Sequence, residues 1–168
     1  TDQCNNSSSV VQTITVSDET EPVAPQAPAD VTVSCGTEIP EMIALTATDN
    51  CGYEITVNGV DSTVAGNCPN SYVVTRTWTF VDKCGNTSSV SQTITVNDTI
   101  PPVAPEAPAD ITVSCSTEVP AIPTLTATDN CSDPISVVGV DEFSVGECVN
   151  SYTIIRRWIF TDGCGNSS

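Results

Sequence analysis

The sequence predicts an all-β protein: tandem immunoglobulin-like β-sandwich repeats of 80 residues, each stapled by disulfides. Three observations predict it: a repeat of fixed period, short segments of alternating β-branched residues, and nine Cys without a single His among 168 residues. Ala-Pro-Ala-Asp occurs at 27–30 and at 107–110, and Ala-Thr-Asp-Asn-Cys at 47–51 and at 127–131. Cys35, Cys51, Cys68 and Cys84 recur 80 residues on as Cys115, Cys131, Cys148 and Cys164, with no insertion. Cys4 precedes Cys84 by the same interval, and Val-Gln-Thr-Ile-Thr-Val (11–16) precedes Ser-Gln-Thr-Ile-Thr-Val (91–96) by it too. A fixed period of this size marks a stack of supersecondary units. Residues 1–20 then read as the end of a preceding unit, 21–100 as a complete unit, and 101–168 as a second unit lacking its last strand. Nine Cys divide into four, four and one, and the chain reads as an excerpt from a longer array.

Each unit opens on a proline-rich linker. Residues 98–108 carry four prolines, and the earlier copy keeps Pro22, Pro25 and Pro28. Such a segment favours extended geometry and lacks backbone donors, so it is a stiff spacer, an edge strand protected from aggregation, or both. Strands follow over 29–35 and 43–50, then at Glu54-Ile-Thr-Val. The stretch 72–82 alternates strictly. Tyr72, Val74, Arg76, Trp78 and Phe80 share one face, repeated as Tyr152, Ile154, Arg156, Trp158 and Phe160. That face is the expected core, with Trp78 and Trp158 at its centre. Gly85-Asn86 turns the chain into a last strand, 88–97. About 80 residues, roughly seven short strands and a central Trp suggest a two-sheet immunoglobulin-like sandwich. No segment has helical apolar spacing.

Charge and cysteine usage limit the function. Asp+Glu number 21 against four Lys+Arg, a formal charge of −17. Nothing could neutralise a phosphate backbone or dock on an anionic membrane, so neither nucleic acid nor direct membrane insertion is expected. Without His the common nucleophile–base pairs and His–metal sets are missing, and the repeated acids sit at turns, so no enzyme is expected and there is no catalytic residue to name. No Cys-x-x-Cys occurs, which leaves structural disulfides in an oxidising, extracellular setting.

Four Cys per unit allow three pairings. If strands run up and down, Cys35 and Cys68 lie at the bottom of a unit, and Cys51 and Cys84 at the top. Pairs that join bottom to top would span a strand of roughly 25–30 Å, against the ~7 Å that a disulfide tolerates between Cα atoms. The expectation is Cys35–Cys68, Cys51–Cys84, Cys115–Cys148 and Cys131–Cys164, with Cys4 paired to a preceding repeat.

The order of motifs resembles the hyalin-repeat (HYR) family. The matching parts are Ala-Asp-Val-Thr-Val-Ser-Cys (29–35), Ala-Thr-Asp-Asn-Cys (47–51), Phe-Val-Asp-Lys-Cys-Gly-Asn (80–86) and Gln-Thr-Ile-Thr-Val (92–96). The four-Cys form is similar to repeats of giant Bacteroidota cell-surface adhesins, including the SprB-type adhesins of gliding motility exported by the type IX pathway. The resemblance implies an immunoglobulin-like module of cell adhesion and supplies no catalytic residues.

Other motifs have two readings each. Asp18, Asp49 and Asp82, repeated as Asp98, Asp129 and Asp162, could ligate calcium, the one cofactor suggested, or cap turns through side-chain hydrogen bonds. At a unit junction the fold would bring Asp98 towards Asp129-Asn130 and Asp162, and Asp18 towards Asp49-Asn50 and Asp82. Arg76 and Arg156, on the core face, should pair with Asp61/Asp141 or Glu38/Glu118, or stack on an aromatic. Thr99 and Ser62 sit in Asp-Ser/Thr-x triplets that resemble a Bacteroidota O-glycosylation acceptor, and Asn6, Asn86, Asn97 and Asn166 lie in Asn-x-Ser/Thr sequons. Tyr53 and Phe143 are not at equivalent positions, so no sugar-stacking platform repeats. The sequence therefore describes a structural and adhesive repeat segment of a long extracellular cell-surface adhesin, with gliding as one setting. The partners are neighbouring repeats of the same chain and an external surface or glycan. The alternatives are a ligand-binding immunoglobulin-like module or a passive spacer of a secreted enzyme.

Overall fold

The longest strands form where the alternation of β-branched residues is longest. In the computed structural model, which describes residues 3–148 and 151–168, β5 (Ser71–Val81) and β6 (Thr87–Asn97) each run for 11 residues. They pair antiparallel along their whole length. Four shorter strands precede them: β1 (Val31–Val33), β2 (Ala44–Thr48), β3 (Glu54–Asn58) and β4 (Val60–Ala65). One sheet has the order β1-β6-β5-β4, with β1 parallel to β6, and the other is the β2–β3 hairpin. Period-2 alternation sends one face of each sheet towards the other. Val74, Arg76, Trp78 and Phe80 are buried on β5, and Gln92, Ile94 and Val96 on β6. Trp78 and Phe80 pack with Ala47 of the hairpin, flanked by Leu45, Ile55 and Val57. The indole would be costly to bury without a hydrogen-bond acceptor. Its Nε1 donates to the Ile43 carbonyl at 2.9 Å.

Arg76 is the buried cation of this core. Its guanidinium grips both Asp61 oxygens, at 2.8 and 3.0 Å, and donates to the Pro40 carbonyl at 2.9 Å. The bidentate geometry and the carbonyl satisfy a group that would otherwise be expensive to desolvate. Of the two acids considered as partners of Arg76, Asp61 is the one used and Glu38 is not. Glu38 instead accepts the Ser34 and Cys35 backbone N–H groups, closing the short turn after β1. The proline segment acts as an edge: Val23 exchanges both backbone hydrogen bonds with Thr48 of β2.

The second unit keeps two hairpins of this plan, in β7 (Thr124–Ala127), β8 (Ile135–Val138), β9 (Val140–Val145) and β10 (Tyr152–Arg157), without counterparts of β1 and β6 among the described residues. Hairpin β7–β8 matches β2–β3, β9–β10 matches β4–β5, and Val103 bridges Thr128. Arg156 holds Asp141 at 2.6 and 3.0 Å, and the Trp158 Nε1 donates to the Pro123 carbonyl at 3.0 Å. The strand expected to reach Phe160 is shorter. β10 stops at Arg157, and beyond it the pairing is reduced to Phe160 with Ser168 and a Thr161–Ser167 bridge. In the first unit β6 supplies the missing partner. The same effect governs residues 11–16, which form no strand and leave Ile14 at 75% and Val16 at 92% exposed. Their near-copy in β6 buries Ile94 and Val96 completely or almost so. Strand propensity without a partner strand does not make a strand.

The β3–β4 link leaves no room for a side chain. A Cβ on Gly59 would lie 2.9 Å from Arg76 Cγ and 3.0 Å from Trp78 Cε2, and one on Gly139 would lie 2.7 Å from Trp158 Cε2. Overpacking of this kind costs about 1–3 kcal/mol. Gly59→Ala and Gly139→Ala should each lower stability by that amount in denaturant unfolding of the oxidised protein. An unchanged midpoint in both would mean that the Trp–Arg layer is loosely packed.

Candidate functional site: the unit junction

Two turns build one end of each unit. After β2, Asp49 accepts the Asn50 and Cys51 N–H groups, and Gly52 takes a left-handed φ of 84°. After β5, Asp82 Oδ1 accepts the Cys84 and Asn86 N–H groups at 2.8 Å, while Oδ2 accepts the Asn86 Nδ2 at 2.7 Å. Gly85, at φ 92°, closes this turn. Both turns have copies at 129–132 and 162–166. Cys51 and Cys84 share a pocket with Asp18, Asp49, Tyr53 and Lys83. At the other end, Cys35 follows β1 and Cys68 precedes β5.

The bottom of the first unit meets the top of the second. Asn70 Nδ2 donates to the Cys131 carbonyl and to Ser132 Oγ, at 3.2 and 3.3 Å. Asn166 Nδ2 donates to the Asp98 carbonyl at 3.2 Å, and the Asp98 N–H donates to the Asn70 carbonyl. Four cysteines converge here. Cys35 is bonded to Cys131 and Cys68 to Cys164, with Cα separations of 5.3 and 5.0 Å.

These bonds correct the expected pairing. Cys35–Cys68 and Cys131–Cys164 are replaced by bonds between units. Cys51–Cys84 and Cys115–Cys148 are not formed, and all four of those residues keep exposed thiols. The separation of top from bottom was the right constraint, but it does not say which copy supplies the partner. Stacking puts a neighbouring unit's top as close to a bottom cysteine as its own unit's bottom is. Both bonds span 96 residues of sequence. By loop-closure entropy each closure of that length is worth about 4–5 kcal/mol, against about 3.7 for a 33-residue loop.

Of the six acids considered for calcium, Asp98 and Asp129 are brought together beside Cys131, and Asp18 and Asp49 beside Cys51. Asp82 and Asp162 have both oxygens taken up in their own turns. Burial would raise the pKa of Asp82 and of Asp162, but hydrogen bonds from the Asn86 or Asn166 side chain and from turn N–H groups hold each below the usual carboxylate range. Hydrogen bonding from Arg76 and from Arg156 lowers Asp61 and Asp141 in the same way. The Cys51 thiol is pushed up, first by its hydrogen bond to Asp18 at 3.2 Å. Thr99 and Ser62 are exposed, whereas the Asn86 and Asn166 amides are occupied within the fold. Tyr53 lies under Lys83 Nζ at 3.5 Å, and Phe143 packs against Tyr152 with ring centroids 6.0 Å apart.

Four carboxylates with depressed pKa values set the acid limit of the fold. Their stabilising effect is complete above the unfolded carboxylate range near ~4 and is lost as pH falls through the lower folded values. The melting temperature should stay level from pH 7 to about 4.5 and fall steeply below it. Asp61→Asn should flatten that fall; a wild-type profile that declines between pH 7 and 5 would contradict the assignment.

The family described as the HYR-like domain with 4 cysteines matches residues 23–96 and again residues 103–168. No curated protein and no solved structure matches the chain at a significant level. Two successive matches cover most of the sequence, in register with the cysteine framework, the Asp-Asn-Cys turns and the repeated Trp strand. The chain therefore belongs to the HYR-like family with four cysteines, whose tandem repeats are non-catalytic, extracellular, adhesion-type modules.

Proposed function

We propose that the chain is a structural and adhesive segment of a long cell-surface adhesin whose successive sandwiches are bonded to one another rather than within themselves. The observation that carries this reading is the pair of disulfides across one junction. A single linker would let two units swivel. Two bonds, together with the Asn70 and Asn166 contacts, fix their relative position. Cys115 and Cys148 occupy in the second unit the places of Cys35 and Cys68 in the first, while Cys51 and Cys84 occupy those of Cys131 and Cys164. The exposed thiols are thus the ones that a further unit on either side would engage. The high negative charge keeps such a filament soluble and parallel filaments apart. Attachment to a cell surface, contact with an external surface or glycan, and gliding with type IX export are the setting that the four-cysteine resemblance supports.

A chain carrying one further unit tests the proposal. Non-reducing peptide mapping should recover Cys115 and Cys148 bonded to the second and fourth cysteines of the added unit. Small-angle scattering should show a maximum dimension that grows linearly with unit number. Recovery of a Cys115–Cys148 peptide, or a particle that stays compact, would defeat it.

A further inference from the structure

We infer that the junction between the two units is a calcium site centred on Asp98 and Asp129. Asp98 follows β6 and is only 4% exposed. Its Oδ1 accepts the Ile100 N–H at 3.2 Å, but its Oδ2 is enclosed and has no hydrogen-bond partner. Asp129 stands in the turn after β7. Its Oδ2 accepts the Cys131 and Ser132 N–H groups at 2.9 and 2.8 Å, and its Oδ1 is likewise enclosed without a partner. Each carboxylate is therefore anchored through one oxygen and presents the other. A ligand atom from each acid and the Cys131 sulfur lie within 4.8 Å of one another.

Two enclosed carboxylate oxygens that no donor reaches have lost their water without gaining a partner, which a cation between them would supply. No Lys or Arg side chain among the described residues is placed to fill that role. Its Lys and Arg number four. Arg76 is held by Asp61, Arg156 by Asp141, Arg157 by Glu142, and Lys83 lies over Tyr53. A cation from solution would complete the site. The donors offered are carboxylate oxygens, and the Cys131 sulfur is committed to Cys35, so no thiolate is present to select a softer metal. Oxygen donors in a flexible loop setting, completed by water and backbone carbonyls, suit calcium better than magnesium, which demands a stricter octahedron.

The upstream trio of Asp18, Asp49 and Cys51 differs in the respect that matters. Asp18 accepts from the Thr20 N–H and the Cys51 thiol, Asp49 accepts from Asn50 and Cys51, and the group is more open. Its oxygens are satisfied without an ion. The enclosure at Asp98–Asp129 accompanies the closed Cys35–Cys131 bond, so the site is a property of a joined pair of units.

Calorimetric titration of the oxidised, metal-stripped protein with calcium chloride tests this. One ion per chain should bind, with a dissociation constant on the order of 10⁻⁴–10⁻³ M. The melting temperature should rise by roughly 5 °C at about 10 mM calcium, with magnesium chloride giving a smaller shift. Asp98→Asn and Asp129→Asn should each weaken binding about tenfold or more, while Asp18→Asn should leave it unchanged. Absence of heat and of a melting shift in the wild-type protein at that concentration would overturn the assignment. So would binding that survives both substitutions.

Discussion

A disulfide joins only Cα atoms that lie within about 7 Å, and two of them meet that limit across a single junction here. The arrangement follows from strand direction. β1 runs parallel to β6 and antiparallel to β5, which delivers Cys35 and Cys68 to the same end of the unit. The Asp-Asn-Cys and Asp-x-Cys-Gly-Asn turns deliver their cysteines to the opposite end. When one sandwich stands on the next, the two kinds of end come face to face. The pairing of cysteines, the burial of Asp98 and the Asn70 and Asn166 bonds all depend on that contact.

The cores themselves are thin. Trp78 and Phe80 with a handful of aliphatic residues fill the first unit, and a unit of this size buries too little apolar surface to be secure alone. Polar groups complete the packing. The Arg76–Asp61 and Arg156–Asp141 pairs sit where a larger sandwich would place hydrocarbon. Such pairs add little net stability over apolar residues of the same shape, but losing one partner is costly. They make each unit intolerant of rearrangement. The junction then supplies what the cores lack, by constraining the unfolded chain.

Much of this was legible in the sequence because it is local. The 80-residue period, the alternation along 72–82, the inward Trp and the Arg–Asp pair depend on residues that are neighbours on one strand or on adjacent strands. So do the Asp82 and Asp162 turns, whose acid and Asn partner stand four residues apart. Strand β4 was less visible, since Val-Asp-Ser-Thr-Val-Ala has little apolar alternation and is exposed throughout. The disulfide partners were not legible for a different reason. A periodic sequence labels every unit alike, so Cys35 has no local signal that distinguishes Cys68 of its own unit from Cys131 of the next. The orphaned oxygens of Asp98 and Asp129 arise from the same contact and were equally hidden, although the clustering of the two acids was not.

The cross-bonded junction changes what happens when the chain is pulled. In an ordinary string of sandwiches, an unfolding unit releases its whole contour, about 80 residues or on the order of 270 Å at ~3.4 Å each. Here Cys131 is bonded back to Cys35, and in a continuing array Cys115 would be bonded forward. The covalent path between those two points is the short run from Cys115 to Cys131, and a parallel run joins Cys148 to Cys164. Each is about 16 residues, or roughly 55 Å when taut. Tension would travel along two such struts per unit while most of the backbone hangs slack between them. A tether built this way could lose the fold of every sandwich and lengthen only modestly, recovering its register once the load is removed because no cysteine has lost its partner.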